Sequence, residues 1–242
     1  KLEPIAGKPI LNIYKDHHNL LWLLNLSGNI HVLNENQLLK DLHGIKLSDI
    51  TTDVFFRCVF QQDKNAPYFL GTETEGYIKL SSDGELVNKK NQYYSGLNKI
   101  LGFYPNGDTL CVVTSFGVFN IDDFEKVERG NVEKEILLFD AWKQESVFVN
   151  EKEIIFRLPS GEVQKINHQL KKGLLNHINF LNKNTVAIST KKGFYIYVKN
   201  ENEWKFYKSY FADKSITNVY LNSTGNLFIG THWDGLYIEP NT

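Results

Sequence analysis

The chain has 242 residues, of which 42% are hydrophobic and 13% aromatic, enough to bury the core of one large all-β domain or two small ones. Its formal net charge of −1 excludes the basic surface that binding to nucleic acid or to an anionic membrane requires. No apolar run approaches the roughly 18 residues of a membrane-spanning helix, and no signal-peptide pattern is present.

The chain begins at Lys1 and contains no methionine. We therefore expect a processed product or a piece of a larger protein, which would reach a membrane only through a domain absent from this chain. Its two cysteines, Cys58 and Cys111, lie in apolar strand-like runs, F-F-R-C-V-F and T-L-C-V-V-T. A buried free thiol behaves as a small hydrophobe, which we favour here over a disulfide.

Six segments repeat one pattern, in which a polar turn, an apolar strand, a second turn and another apolar strand follow each other. The spacings between the second turns are 48, 41, 36, 40 and 42 residues. A period near 40 built from strands is typical of β-propellers, whereas helical repeats would show a 3.6-residue periodicity. The second turns are anchored at Gly28, Gly76, Gly117, Glu153, Gly193 and Gly235.

The first repeat, residues 6–45, ends in a long connection. In Asn34–Gly44 we expect one helical turn, which would explain the 48-residue spacing that follows. The predicted strands of this repeat are Ile10–Lys15, Leu20–Asn25, Asn29–Asn34 and a weak outer strand near Gln37–Lys40.

The next two repeats, residues 50–92 and 95–131, each predict four strands. Those of the second repeat are Phe55–Gln61, Tyr68–Gly71, Tyr77–Leu80 and Glu85–Asn88. Those of the third are Asn98–Tyr104, Leu110–Thr114, Val118–Ile121 and a ragged outer segment near Glu125–Glu128.

The fourth and fifth repeats, residues 133–168 and 172–210, also predict four strands each. Those of the fourth are Ile136–Ala141, Val147–Asn150, Ile154–Leu158 and Glu162–Ile166. Those of the fifth are Leu175–Leu181, Val186–Ser189, Phe194–Val198 and Trp204–Tyr207.

The sixth repeat, residues 214–242, predicts Ile216–Leu221, Leu227–Thr231 and Leu236–Ile238 but no outer strand. We expect Lys1–Ile5 to supply it and so to close a ring, because closure removes the unpaired strand edges. A frayed N-terminus is the alternative. The sequence thus predicts an all-β fold over residues 1–242, a single closed β-propeller of six four-stranded blades, with seven blades as the alternative.

Two aromatic residues, Trp22 and Phe228, occupy the same position of the first and last repeats. We expect both to be buried between neighbouring blades.

The candidate chemistry is sparse. His17 and His18 beside Asp16 suggest a metal site at first, but the other repeats have ordinary turn residues here, so we favour a turn. The remaining histidines do not have the spacing of metal ligands. No nucleophile motif or phosphate-binding motif occurs in the structural context that it requires. Acidic residues are too numerous to select a catalytic pair. We therefore predict no catalytic residue, no metal and no cofactor.

The turns between the second and third strands of a propeller emerge on one face, where ligands favour convergent loops. Trp233 stands out because turn chemistry does not need a tryptophan, and an exposed aromatic can stack on a sugar or anchor a protein. Packing over the neighbouring blade is its alternative role. The predicted ligand-binding residues are Trp233, His232, Asp234, Glu73, Glu75, Lys191 and Lys192.

Two segments carry a resemblance to a known family. D-H-H-N-L-L-W-L-L-N-L-S-G-N-I (Asp16–Ile30) and S-T-G-N-L-F-I-G-T-H-W-D-G-L-Y-I (Ser223–Ile238) resemble the two-component regulator propeller repeat, whose pattern runs D-x-x-G-x-L-W-I-G-T-x-x-G-L-Y. The second repeat retains the pattern as F-L-G-T-E-T-E-G-Y (Phe69–Tyr77). The third repeat matches it only in part, as T-S-F-G-V-F. The fourth and fifth repeats match by their period alone.

The resemblance implies the periplasmic or extracytoplasmic sensor part of a bacterial membrane histidine kinase, with a carbohydrate-derived ligand and a homodimer formed through the receptor. The chain departs from the family in having no Ig-like domain, no membrane helix and six repeats where seven-bladed rings are usual. The leading hypothesis is a non-enzymatic sensor. The alternatives are a protein-interaction scaffold and a propeller lyase or glycosidase.

Overall fold

Short apolar runs separated by glycine, asparagine and aspartate turns fold this chain into antiparallel strands. The computed structural model describes residues 10–25, 30–34, 37–39, 41–42, 45–46, 55–82, 86–90, 99–122, 127, 135–222 and 224–240. Within these ranges the fold is all-β, apart from one 3-10 turn at Lys172–Leu174. In the same part of the chain, no helix has the length and apolarity that a membrane crossing requires.

The strands fall into two compact units, Lys1–Arg129 and Gly130–Thr242. In its described residues, the first unit contains three sheets of sequential antiparallel strands and one small hairpin. Sheet 1 consists of β1 (Ile10–Lys15), β2 (Leu21–Asn25), β3 (Ile30–Asn34) and β4 (Gln37–Leu39), and the hairpin of β5 (Asp41–Leu42) and β6 (Ile45–Lys46). Sheet 2 consists of β7 (Phe56–Gln61), β8 (Tyr68–Thr72), β9 (Tyr77–Leu80) and β10 (Leu86–Lys90). Sheet 3 consists of β11 (Ile100–Asn106), β12 (Thr109–Thr114) and β13 (Gly117–Asn120).

The second unit contains three further sheets with the same strand order. Sheet 4 consists of β14 (Leu138–Trp142), β15 (Glu145–Val149), β16 (Glu153–Arg157) and β17 (Val163–Asn167). Sheet 5 consists of β18 (Leu175–Asn182), β19 (Thr185–Thr190), β20 (Gly193–Asn200) and β21 (Glu203–Tyr210). Sheet 6 consists of β22 (Ile216–Leu221), β23 (Leu227–Thr231) and β24 (Leu236–Glu239).

The all-β prediction is confirmed, and the strands lie within a few residues of their predicted bounds. The helical turn expected in Asn34–Gly44 is wrong. Backbone pairing replaces it, because Gln37–Leu39 continues as β4 beside β3, and Asp41–Leu42 then pairs with Ile45–Lys46. Ring closure by Lys1–Ile5 and the outer segment near Glu125–Glu128 fall on residues outside, or almost wholly outside, the described ranges.

The core lies between neighbouring sheets within each unit. In the first unit, Trp22 and Leu24 of sheet 1 pack with Tyr68 and Leu70 of sheet 2. Sheets 2 and 5 each have a neighbouring sheet on both faces, so their second strands, β8 and β19, are buried on both sides rather than alternating. In the second unit, one such cluster joins sheets 4 and 5 and another joins sheets 5 and 6.

Polar side chains tie the first strands of neighbouring sheets together in the second unit. Asn176 Nδ2 donates to the Ile216 carbonyl at 2.7 Å, 40 residues further along the chain. The Phe180 amide donates to Asp140 Oδ2 at 2.6 Å, again over 40 residues. The 40-residue period of the sequence is therefore also the period of the contacts between sheets.

The two aromatic core predictions have different outcomes. Trp22 is fully buried, as predicted, with its ring centroid 5.0 Å from that of Tyr68. Phe228 is only half-buried, so the prediction that it is buried between sheets is wrong. The reason is its position on a face of sheet 6 that also carries the exposed Tyr220 and Ile238, its cross-strand partners.

The two cysteines lie in the first unit. Cys58 on β7 and Cys111 on β12 are both free and buried. Burial raises the pKa of the Cys58 thiol to about 12, so this thiol stays protonated and acts as an apolar side chain.

Candidate functional site

A threonine at the end of the second strand closes the turn to the third strand in several sheets. In sheet 6 the Thr231 hydroxyl donates to the Gly235 carbonyl at 2.8 Å and accepts from the Asp234 amide at 2.8 Å. This arrangement holds the backbone of the turn while its middle side chains point to other partners or to solvent. Thr72, Thr114 and Thr190 close the corresponding turns of sheets 2, 3 and 5 in the same way.

In the second unit these turns are joined to the connections between sheets by backbone hydrogen bonds. The Lys191 amide donates to the Leu174 carbonyl at 2.8 Å, and the Gly193 amide to the Lys214 carbonyl at 2.7 Å. The His232 amide then donates to the Ser215 carbonyl at 2.9 Å. Turns and connections thus alternate along one continuous band. We call this band, residues 150–152, 168–174, 190–193, 211–215 and 231–235, the turn edge.

Trp233 is the most exposed aromatic residue at the turn edge. It is 84% exposed, whereas Trp22 and Trp204 are almost completely buried. Its ring meets that of His232 edge-on, with 4.4 Å between the centroids. The indole therefore does not pack over a neighbouring strand, and its face is open to a ligand.

Asp234 is held by a residue that the sequence analysis did not select. Lys214, in the connection between sheets 5 and 6, lies 3.1 Å from Asp234 Oδ2 and 5.3 Å from the centre of the Tyr237 ring. Hydrogen bonds to Tyr237 and to Asp234 raise the pKa of Lys214, so it is fully protonated at neutral pH. The only sequence signal for it is a lone lysine between two strands.

The connection that carries Lys214 is conformationally unusual. Phe211 has a φ of 54°, a left-handed conformation that is rare for a bulky residue. Its ring lies 5.4 Å from that of Tyr237 and stacks at 6.1 Å with Phe194. These ring contacts hold the strained backbone in place, and with it the position of Lys214.

Lys191 and Lys192 lie in the turn of sheet 5, with both side chains exposed. Among the residues that the structure describes, neither has a carboxylate within 4.0 Å of its ammonium group. The neighbouring connection contributes Lys171 and Lys172, of which Lys172 pairs with Glu135. The turn edge is therefore basic beside sheet 5.

Glu73 and Glu75 belong to the first unit, in the turn of sheet 2. Glu73 accepts a hydrogen bond from Arg57 and lies 3.3 Å from Lys99 Nζ, so its charge is already compensated. The Glu75 amide donates to the Thr72 hydroxyl. Of the seven predicted site residues, the second unit contains five, His232, Trp233, Asp234, Lys191 and Lys192, all on the turn edge, and the first unit contains these two glutamates.

The opposite edge of the sheets is built from turns that an aspartate or asparagine side chain closes. Asn222 Oδ1 accepts from the Thr224 and Asn226 amides, and Asp63 Oδ1 accepts from the Asn65 amide. His17 and His18 lie in such a turn, as predicted. No group of three potential metal ligands occurs in the part of the chain that the structure describes.

No protein-family model matches the chain, and no curated protein matches it in sequence. Solved structures do match over almost its whole length. The chain is similar to the extracellular domain of a protein assigned as a hybrid two-component system of B. thetaiotaomicron, with 16% identity and a TM-score of 0.66. The match covers 99% of this chain but only 32% of that one.

Two further matches come from different kinds of protein. A streptogramin B lyase has a TM-score of 0.69 at 11% identity, with 98% of this chain and 81% of the lyase covered. A chain of the mitotic checkpoint complex has a TM-score of 0.67 at 11% identity, with 98% and 79% covered. At such identities the likeness shows the fold alone. The chain is thus an all-β protein of several small antiparallel sheets with propeller-like structural neighbours, and it spans about a third of the length of the two-component extracellular domain.

Proposed function

We propose that this chain is a non-enzymatic, ligand-binding part of an extracytoplasmic two-component receptor, and that it recognises a saccharide at the turn edge. The observation that carries the proposal is Trp233, 84% exposed on a turn whose backbone Thr231 fixes. An indole in this position can stack on a sugar ring, and it loses little conformational entropy in doing so. The repeat resemblance and the likeness to a two-component ectodomain support the receptor context.

The experiment is calorimetric titration of the chain with a panel of oligosaccharides, followed by the Trp233→Ala variant. We expect the variant to lose about 1–3 kcal/mol of binding free energy, because the stacking contact disappears. Its thermal unfolding should not change, since the side chain contributes little to the core. Trp142→Ala is the matched control, because Trp142 is also partly exposed but ends β14 at the opposite edge. Unchanged affinity in Trp233→Ala, or unfolding of that variant, would contradict the proposal.

The ring geometry belongs to the same proposal. We propose that the sheets are the blades of one closed six-bladed propeller, with Lys1–Ile5 as the missing outer strand of sheet 6. Deletion of residues 1–5 should then lower the unfolding temperature and expose an aggregation-prone edge. Equal stability and solubility of the shortened chain would exclude this closure.

A lyase is the second candidate, because the streptogramin B lyase matches 98% of this chain. Incubation of the purified chain with a streptogramin B antibiotic, followed by liquid chromatography and fragmentation mass spectrometry, tests it directly, because elimination within a cyclic substrate gives an isomer of the same mass. We expect the antibiotic to remain intact. A new chromatographic peak with an altered fragmentation pattern would replace the sensor proposal by an enzymatic one.

A further inference from the structure

The basic character of the turn edge is concentrated in two segments that contain no carboxylate. Residues 168–174 read H-Q-L-K-K-G-L, and residues 190–193 read T-K-K-G. The Lys191–Leu174 backbone bond joins the two segments directly. Four lysines are therefore gathered beside sheet 5, although the chain as a whole has a net charge of −1.

Within the described residues, a carboxylate at contact distance compensates the charge of one of the four lysines. Lys172 pairs with Glu135. Among the described residues, Lys171, Lys191 and Lys192 make no such ion pair, and all three are exposed. Exposed lysines held close together with few carboxylates in contact favour an anionic ligand, because its binding relieves their mutual repulsion.

The same band carries the exposed indole. Gly193 follows Lys192 and bonds to Lys214, whose ammonium group reaches Asp234 beside Trp233. Packed sheets lie about 10 Å apart, so the turns of sheets 5 and 6 are separated by more than one sugar ring. The lysine cluster and Trp233 therefore suit an extended ligand that carries both rings and negative charges.

We propose that the turn edge binds a linear acidic oligosaccharide, with one sugar ring on Trp233 and its carboxylate or sulfate groups at Lys171, Lys191 and Lys192. This assignment rests on the proposed saccharide-binding function and specifies its ligand class. The lysines give charge selectivity, and the indole gives affinity for a ring. Neutral oligosaccharides can use the indole alone and bind more weakly.

Titration with three hexasaccharides tests the assignment: an oligogalacturonate, a chondroitin sulfate and maltohexaose, which is neutral. We expect at least one acidic ligand to bind about tenfold or more tightly than maltohexaose, with an affinity that falls as salt is raised. The double variant Lys191→Gln/Lys192→Gln should lower the acidic affinity about tenfold. It should leave the neutral affinity unchanged. The two acidic ligands distinguish carboxylate from sulfate recognition.

The control variant is Lys165→Gln/Lys183→Gln, which removes two exposed lysines, one from β17 and one from the first turn of sheet 5. It should bind as the unsubstituted chain does. Equal affinity for acidic and neutral hexasaccharides, or no effect of Lys191→Gln/Lys192→Gln, overturns the acidic assignment. If maltohexaose binding still depends on Trp233, the proposed function survives that result, whereas no binding of any hexasaccharide overturns both.

Discussion

The Asp16 carboxylate accepts a hydrogen bond from the indole nitrogen of Trp22 at 2.8 Å. The same oxygen, Oδ2, accepts from the Tyr68 hydroxyl at 2.9 Å, while Oδ1 accepts from the His18 and Leu20 amides. Asp16 is buried, and its four donors come from its own turn, from β2 and from the neighbouring sheet. One carboxylate therefore fixes a turn and joins sheet 1 to sheet 2.

Asp16→Ala should lower the free energy of unfolding by about 3–4 kcal/mol, because it leaves buried donors without an acceptor. Urea denaturation measures this loss. Asp63→Ala is the matched control, because Asp63 accepts only backbone amides and is exposed. The control should lose about 0.5–1 kcal/mol. Equal losses would show that the Trp22 and Tyr68 bonds contribute nothing.

Trp22→Ala and Phe228→Ala should differ although both residues occupy the same position of the repeat. Trp22 is fully buried, so its truncation should cost about 3–5 kcal/mol. Phe228 is half-buried beside the exposed Tyr220, so we expect about 1–2 kcal/mol. Denaturation of the two variants side by side measures the difference. Equal large losses would mean that the Phe228 face of sheet 6 is covered in solution.

The sequence period predicted most of the fold because each repeat carries its own local signals. The motif G-T-x-x-x-G identifies both the end of the second strand and the turn that follows, and Thr231 and Gly235 then form that turn. The Asn34–Gly44 helical turn failed because its polar, leucine-containing composition suits a helix, whereas tertiary pairing with β3 decides its conformation.

The candidate site was only partly predictable for a related reason. Trp233, Lys191 and Lys192 stand inside turns that the period locates, so their placement on one edge follows from the repeat. Lys214 and Phe211 lie outside these turns, in the connection between sheets 5 and 6, and the repeat does not predict their positions. Their roles depend on ring contacts with Tyr237 and on a backbone bond to Gly193, and no local pattern reports contacts between elements that are distant in sequence.

Asp140 should make stability depend on pH. Burial raises the pKa of its carboxyl from 3.8 to about 7, although the Phe180 amide works in the opposite direction. An aspartate with a raised pKa contributes its full stability below about pH 4, and loses it as the pH rises through about 7. Asp140→Asn keeps an acceptor for Phe180 without a charge.

The measurement is the free energy of unfolding at about pH 4 and pH 8 for both forms. We expect the unsubstituted chain to lose about 1–2 kcal/mol relative to Asp140→Asn over this range, since Asp140 is partly exposed and water screens its charge. If the unsubstituted chain instead gains stability relative to the variant, the carboxylate is ionised in the fold and the Phe180 bond outweighs burial.

Gly193→Ala should disturb the turn edge more than a glycine substitution elsewhere. Gly193 has a φ of 85°, and an added Cβ would lie 2.1 Å from the Tyr210 carbonyl oxygen. Gly161 has a φ of 83° but nothing within 4 Å of such a Cβ, so Gly161→Ala isolates the conformational cost, about 1 kcal/mol.

Gly193→Ala must also move the backbone of the connection that carries Lys214. We expect it to cost at least about 2 kcal/mol more than Gly161→Ala in denaturation, because a carbonyl cannot rotate away as a side chain can. Because the clash also displaces the connection to which the Gly193 amide donates, at the Lys214 carbonyl, saccharide binding should weaken in Gly193→Ala and not in Gly161→Ala. Equal stability and equal affinity of the two variants would show that the connection adapts freely and does not position the site.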